Sequence, residues 1–204
     1  VLQDVHFSYE ADREILKGID LHLSAGQFVS LVGESGCGKS TIAGILGGRN
    51  RGYSGSVTIG GVPLSQVQEA ALMERVVLVR SSSYLFKGTV EENLKMAKPD
   101  ATKEEMEAVL EKVNLLGFLE TQAGLETQLL EKAGNLSGGQ CQRLAIARAL
   151  LRKGASVYIF DEAASNIDVE SEALIMEVIH ELAKTKTVLL ISHRLANVVQ
   201  SDKI

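Results

Sequence analysis

Gly33, Glu34, Ser35, Gly36, Cys37, Gly38, Lys39, Ser40 and Thr41 run consecutively, and no other stretch limits the possible folds of this chain as strongly. The spacing is that of a phosphate-binding loop: Gly, four residues, then Gly-Lys-Ser. Residues 28–32 before it are short, apolar and partly β-branched, as a buried parallel strand should be. Residues 41–46 after it read as the first turns of a helix. Strand, glycine loop and helix in this order point to an α/β fold with a parallel sheet. They also make an anion socket. The glycines let successive N–H groups turn inward, and the helix start adds its partial positive charge. Lys39 is placed to neutralise outer phosphates and the Ser40 hydroxyl to ligate Mg²⁺. The ligand these residues ask for is a nucleoside triphosphate.

Bulk properties narrow the field. With 204 residues and 45% apolar content, the chain can bury a core as one domain, or one domain with a lobe. A net charge of −5 argues against a nucleic-acid partner held by electrostatics. Cys37 and Cys141 form neither a C-x-x-C pair nor a metal-spaced cluster, which is ordinary for a reducing compartment. No apolar run is long enough to cross a bilayer, and no signal-peptide pattern is present. The chain opens at Val1 in a strand-like segment and stops at Ile204 after an apolar stretch. Both ends are expected to be cuts in a longer polypeptide.

Alternation predicts half-exposed strands over 2–7 and 19–23, and a strand over 56–59 running into a turn at Gly60 and Gly61. Buried strands are expected at 76–79, 157–160 and 187–191. From Thr89 to Leu151 the pattern is mostly helical, with a capping box at Thr102 and Glu105 ahead of a helix over 104–113. Residues 170–182 read as an amphipathic helix. Three of the apolar strands end in chemically able residues: Gly33 onward, Asp161 with Glu162, and His193. Ligands of open parallel sheets sit beyond the carboxyl ends of the strands, so the three groups are expected to converge on one nucleotide. Asp161 is placed to hold Mg²⁺ and Glu162 to orient or deprotonate an attacking water. A second helix start follows Leu136. Ser137 can cap a helix over 138–151, Gln140 completes a capping box, and Gly138 and Gly139 leave first-turn N–H groups open to an anion.

Followed by Cys141-Gln142-Arg143-Leu144-Ala145, that start resembles the signature motif of the ATP-binding cassette family, and the resemblance covers nearly the whole chain. It implies a P-loop NTPase (RecA-like) core with an antiparallel β subdomain and an inserted helical subdomain. Residues 1–84 and 152–204 would form the first two and 85–151 the third. It also implies that Tyr9 stacks on adenine, that 33–41 is the Walker A loop, and that Glu162 is the catalytic glutamate. His193 would be the switch histidine and 165–168 (Ser-Asn-Ile-Asp) the D-loop, with Asp168 unchanged. Residues 84–94 and 192–195 look like the exporter branch of the family, in which a membrane domain usually precedes the cassette on the same polypeptide. The implied assembly is a head-to-tail dimer of two nucleotide-binding domains at the cytoplasmic face of a membrane. There, MgATP on Lys39 of one subunit is covered by Ser137 and Gly139 of the other.

Two departures accompany the resemblance. Ser81 stands where the family's Q-loop glutamine, a Mg²⁺ and water contact, belongs, and Leu130 replaces the first glycine of a loop before the signature. The family's last strands and helices are also expected to be missing after His193. The main reading is therefore an ATPase that drives export, with a nucleotide-gated dimerisation module of little turnover as the alternative. A cassette acting on DNA or ribosomes lacks the expected coiled coil or tandem cassette, and a small-molecule kinase leaves the signature segment without a role.

Overall fold

The computed structural model describes residues 1–10, 13–165 and 167–204. In chain order the strands are β1 (Leu2–Glu10), β2 (Arg13–Leu21), β3 (Phe28–Leu31), β4 (Ser54–Ile59), β5 (Val62–Pro63), β6 (Val76–Arg80), β7 (Gly88–Thr89), β8 (Gln128–Leu129), β9 (Val157–Asp161) and β10 (Thr187–Ile191). The helices are α1 (Lys39–Leu46), α2 (Glu69–Arg75), α3 (Val90–Lys95), α4 (Lys103–Lys112), α5 (Leu116–Glu120), α6 (Gly138–Leu150) and α7 (Val169–Ala183). The chain divides into two compact units, Val1–Leu78 with Ala155–Asp161 and Ala183–Ile204, and Val79–Gly154 with Glu162–Leu182.

The first unit holds two sheets, ordered β2-β1-β4-β5 and β3-β10-β9-β6. β10 pairs in parallel with both β3 and β9, with Ile191 level with Leu31 on one side and Asp161 on the other. These strands read as continuous apolar runs because they are covered on both faces: Val188, Leu189 and Ile191 are fully buried. β3 is engaged on both sides. Gln27 and Leu31 carbonyls accept from Val188 and Ser192 amides, while the amides of Phe28 and Ser30 donate to the Asp202 carboxylate and the Lys203 carbonyl. Leu16, Val29, Ile42, Ile45, Ile159 and Leu189 lie in a single apolar core shared by the two sheets and α1.

The antiparallel sheet departs from simple alternation. Strict alternation from Leu2 would bury Asp4 and His6, yet Leu2, Val5 and Phe7 are the buried residues. A bulge at Asp4, whose φ is 48°, inserts the extra residue that returns Val5 and Phe7 to the core face. β2 begins at Arg13 and ends at Leu21, so it takes in only the first three residues of the expected 19–23 segment. Gly60 and Gly61, both at positive φ, form the two-residue turn between β4 and β5.

The second unit is built mainly of α3 to α7 around Leu94, Met106, Leu110, Leu119, Leu144 and Ile146. The capping box at Thr102 and Glu105 forms as expected, and Thr89 with Glu92 makes another at α3. The region is not wholly helical, since β7 and β8 pair antiparallel at Gly88–Leu129 and Thr89–Gln128. Buried Asn93 fixes the turn before α3, accepting from the Phe86 amide and donating to the Phe86 and Thr89 carbonyls. Among the described residues no helix is long and apolar enough to cross a membrane.

Candidate functional site

The first unit carries the phosphate loop. β3 ends at Leu31, the loop residues 33–37 are exposed, and α1 starts at Lys39 behind Gly38. Gly38 has a φ of 101°, and a Cβ on it would lie 2.6 Å from Leu16 Cδ2, so both conformation and packing demand glycine. Lys39 is folded into the loop, where Nζ donates to the Gly33 and Glu34 carbonyls at 2.8 Å each and lies 3.6 Å from Cys37 Sγ. The Ser40 hydroxyl donates to Asp161 Oδ1 at 2.8 Å. Loop and strand end thus meet as the sequence implied. His193 follows two residues after Ile191, at the same edge of the sheet, and is exposed.

One hydroxyl and one carboxylate oxygen in contact suit a hard cation such as Mg²⁺, which keeps waters and phosphate oxygens for its other positions. Among the described residues no group of three or more His, Cys, Asp or Glu side chains gathers into a fuller metal cage.

Tyr9 projects from β1, 63% exposed, with its ring edge-on to Phe7 at 4.9 Å. Its hydroxyl lies 3.3 Å from Thr41 Oγ1 and accepts from Asn50 Nδ2 at 3.0 Å. Asn50 also donates to the Thr41 carbonyl at 3.3 Å, and a side chain on Gly44 would overlap it. Tyr9 is therefore tied to the helix that carries Lys39. Asn50 was invisible in the sequence because, following Gly47 and Gly48, it looks like an ordinary turn residue.

The second unit carries the other helix start. Ser137 accepts from the Gln140 amide at 3.1 Å, and Gln140 Oε1 accepts from the Ser137 amide at 2.8 Å, closing the expected box. Ser137 and Gly138 are exposed and Gly139 is buried. The box leaves the Ser137 O–H proton and the Gly138 amide as outward donors. Asp168 caps α7, accepting from the Ser171 amide at 2.8 Å. Hydrogen bonds from Ser171, with the Arg143 guanidinium adding, hold its carboxyl below the usual range. Ser171 went unnoticed in the sequence, although Asp followed three residues later by Ser, with Glu170 and Glu172 between and beside, is a legible helix start. Asn166, within the expected D-loop, lies outside the described residues.

Glu162 follows Asp161 with a φ of 52°, and its carbonyl accepts from the Ser165 amide and hydroxyl. A glutamate in the left-handed region is uncommon, and such strain concentrates at functional sites. Ser81 is exposed in the turn after β6. Ser83 is committed to the backbone of Arg80, whose carbonyl also accepts from Gln142 Nε2 at 2.9 Å.

Residues 16–165 match the ABC transporter family model. The chain is 48% identical over 203 residues to an uncharacterized ABC transporter ATP-binding protein of Haemophilus influenzae, covering 100% of this chain and 36% of that protein. It is 40% identical over 202 residues to the ATP-dependent lipid A-core flippase of Chromobacterium violaceum, covering 98% and 34%. The chain thus spans about a third of the length of these curated relatives. The structure of a bacterial Atm1-family ABC exporter with ATP bound superposes with a TM-score of 0.92 at 33% identity, over 98% of this chain and 35% of that one. On the fold, the loop and these matches together, the chain belongs to the ABC transporter family as an exporter-type nucleotide-binding domain.

Proposed function

We propose that the chain binds MgATP and hydrolyses it to drive export by a membrane domain on the same polypeptide, at the cytoplasmic face of the membrane. The observation that carries this is the Ser40–Asp161 contact of 2.8 Å beside a Lys39 folded into the loop. In this reading residues 1–84 and 152–204 form the ATP-binding core with its β subdomain, and 85–151 the helical subdomain. Tyr9 stacks on the base, loop amides 33–38 and Lys39 hold the phosphates, and Ser40 with Asp161 holds Mg²⁺. The cation neutralises charge on the phosphates. Thr41 ties loop to platform, and Ser81 would supply a short hydroxyl where the family resemblance implies a glutamine.

Chemistry at the γ-phosphate needs charge stabilisation from both sides and exclusion of bulk water. One copy offers loop amides and Lys39. A second copy, packed head to tail, would add the Ser137 hydroxyl, the amides of Gly138 and Gly139, and Gln140, with Asp168 alongside. Exposure of Ser137 and Gly138 supports this, since a buried cap could not face a neighbour. Glu162 then accepts the proton of the attacking water while His193 orients the γ-phosphate. The flippase and exporter relatives support coupling to transport.

A single-turnover assay tests the chemistry. Mixed with radiolabelled MgATP, the parent should cleave it, whereas Glu162→Gln should bind as tightly and cleave roughly a hundredfold more slowly. Equal, negligible cleavage by both would favour a nucleotide-gated clamp instead.

A further inference from the structure

Gly139, second residue of α6, lies nearer to α7 than any side chain would permit. A Cβ there would sit 2.6 Å from Ser171 Cβ, closer still to Ser171 Oγ, and 3.1 Å from Asp168 Oδ2. Rotating the serine hydroxyl would not relieve the overlap, because backbone fixes its Cβ. Conformation does not explain the glycine either, as Gly139 is not among the positive-φ glycines. At a plain helical position alanine is the better residue. The contact is the reason for the glycine.

Ser171 is 5% exposed and donates its amide to Asp168, so the residue that fills the Gly139 gap also fixes the α7 cap. Arg143, one turn along α6, donates to the Asn114 carbonyl at 2.7 Å and places its charge toward the same carboxylate.

We propose that Ser171 is a positioning residue that locks the start of α7 into the gap at Gly139, so that Ser137, Gly138 and Asp168 meet the neighbour's nucleotide as one rigid edge. This rests on the reading that 137–140 covers ATP bound to a second copy. Gly139 serves mainly to admit Ser171, and any side chain there would displace the donors that face the γ-phosphate. A shift of that kind lowers turnover while leaving MgATP binding to the chain's own loop intact.

The test is a suppressor series in the purified chain: Gly139→Ala alone, with Ser171→Ala, and with Ser171→Gly. Gly139→Ala should lower Tm by about 3 °C or more. It should lower kcat roughly tenfold to a hundredfold, with the Kd of the dilute monomer for MgATP changed less than about twofold. Ser171→Gly removes both overlapping atoms and should restore most of the Tm and kcat. Ser171→Ala leaves the Cβ at 2.6 Å and should restore little. Equal losses in every Ser171 background, or a Gly139→Ala protein with the parent's Tm, would overturn the interlock. A parent with no turnover would instead sink the ATPase reading, and the Tm series would still decide the interlock.

Discussion

Two side chains set the character of the nucleotide loop beyond the residues that define it. Cys37 is a free, exposed thiol 3.6 Å from the Lys39 ammonium. A bulky adduct on it would fill the space the outer phosphates need. Alkylation by N-ethylmaleimide should abolish MgATP binding and MgATP should slow the labelling, both readable by mass spectrometry and a binding titration. Equal labelling with and without nucleotide would contradict this placement. Asn50 tethers the hydroxyl of Tyr9, which in the proposed function stacks on the base. Asn50→Ala removes that hydrogen bond, about 1 kcal/mol, along with the longer one to the Thr41 carbonyl, so the Kd for a fluorescent ATP analogue should rise roughly fivefold. Tyr9→Phe should act in the same direction, and Tyr9→Ala more strongly because the stacking surface goes with it.

The start of α4 is heavily buttressed. Its capping-box glutamate, Glu105, takes a hydrogen bond from Lys153 at 2.7 Å, another from Lys98, and a third from the Thr102 amide. These hold its pKa at about 2 instead of the ordinary 4.5. Because the folded-state pKa is the depressed one, the contribution is fully present above pH 4.5 and is lost as pH falls toward 2. The urea midpoint of the parent should therefore drop through that window, and Glu105→Gln should show a lower midpoint at neutral pH with a shallower acid drop. Capping explains much of what was legible here, since Thr102–Glu105 and Ser137–Gln140 are local patterns that need no tertiary information. The Asp4 bulge and the β7–β8 pair were not legible. The first depends on the close approach of Gly55 to the Asp4 carbonyl, 51 residues away, and the second on strands of two residues that carry no periodicity.

For the molecule as a whole, the phosphate loop, the Asp161 strand end and the cap at Ser137 could be read in advance because each is a contiguous string. The tie of Asn50 to Tyr9 and the packing of Ser171 against Gly139 could not, because they join residues 41 and 32 positions apart. If each site is completed by a second copy, the specific ATPase rate should climb with protein concentration, so that total rate rises more steeply than linearly on going from nanomolar to micromolar chain. Strict proportionality would remove the dimer. The doubly bonded strand β3 bears on how such a machine moves. With Phe28 and Ser30 tied to 202–203 and Gln27 and Leu31 tied to Val188 and Ser192, the stem beneath the loop is held on both sides. Its amides should therefore resist deuterium uptake equally with and without nucleotide. Any ligand-driven displacement must begin past Leu31, making β3 the fixed anvil against which the loop does its work.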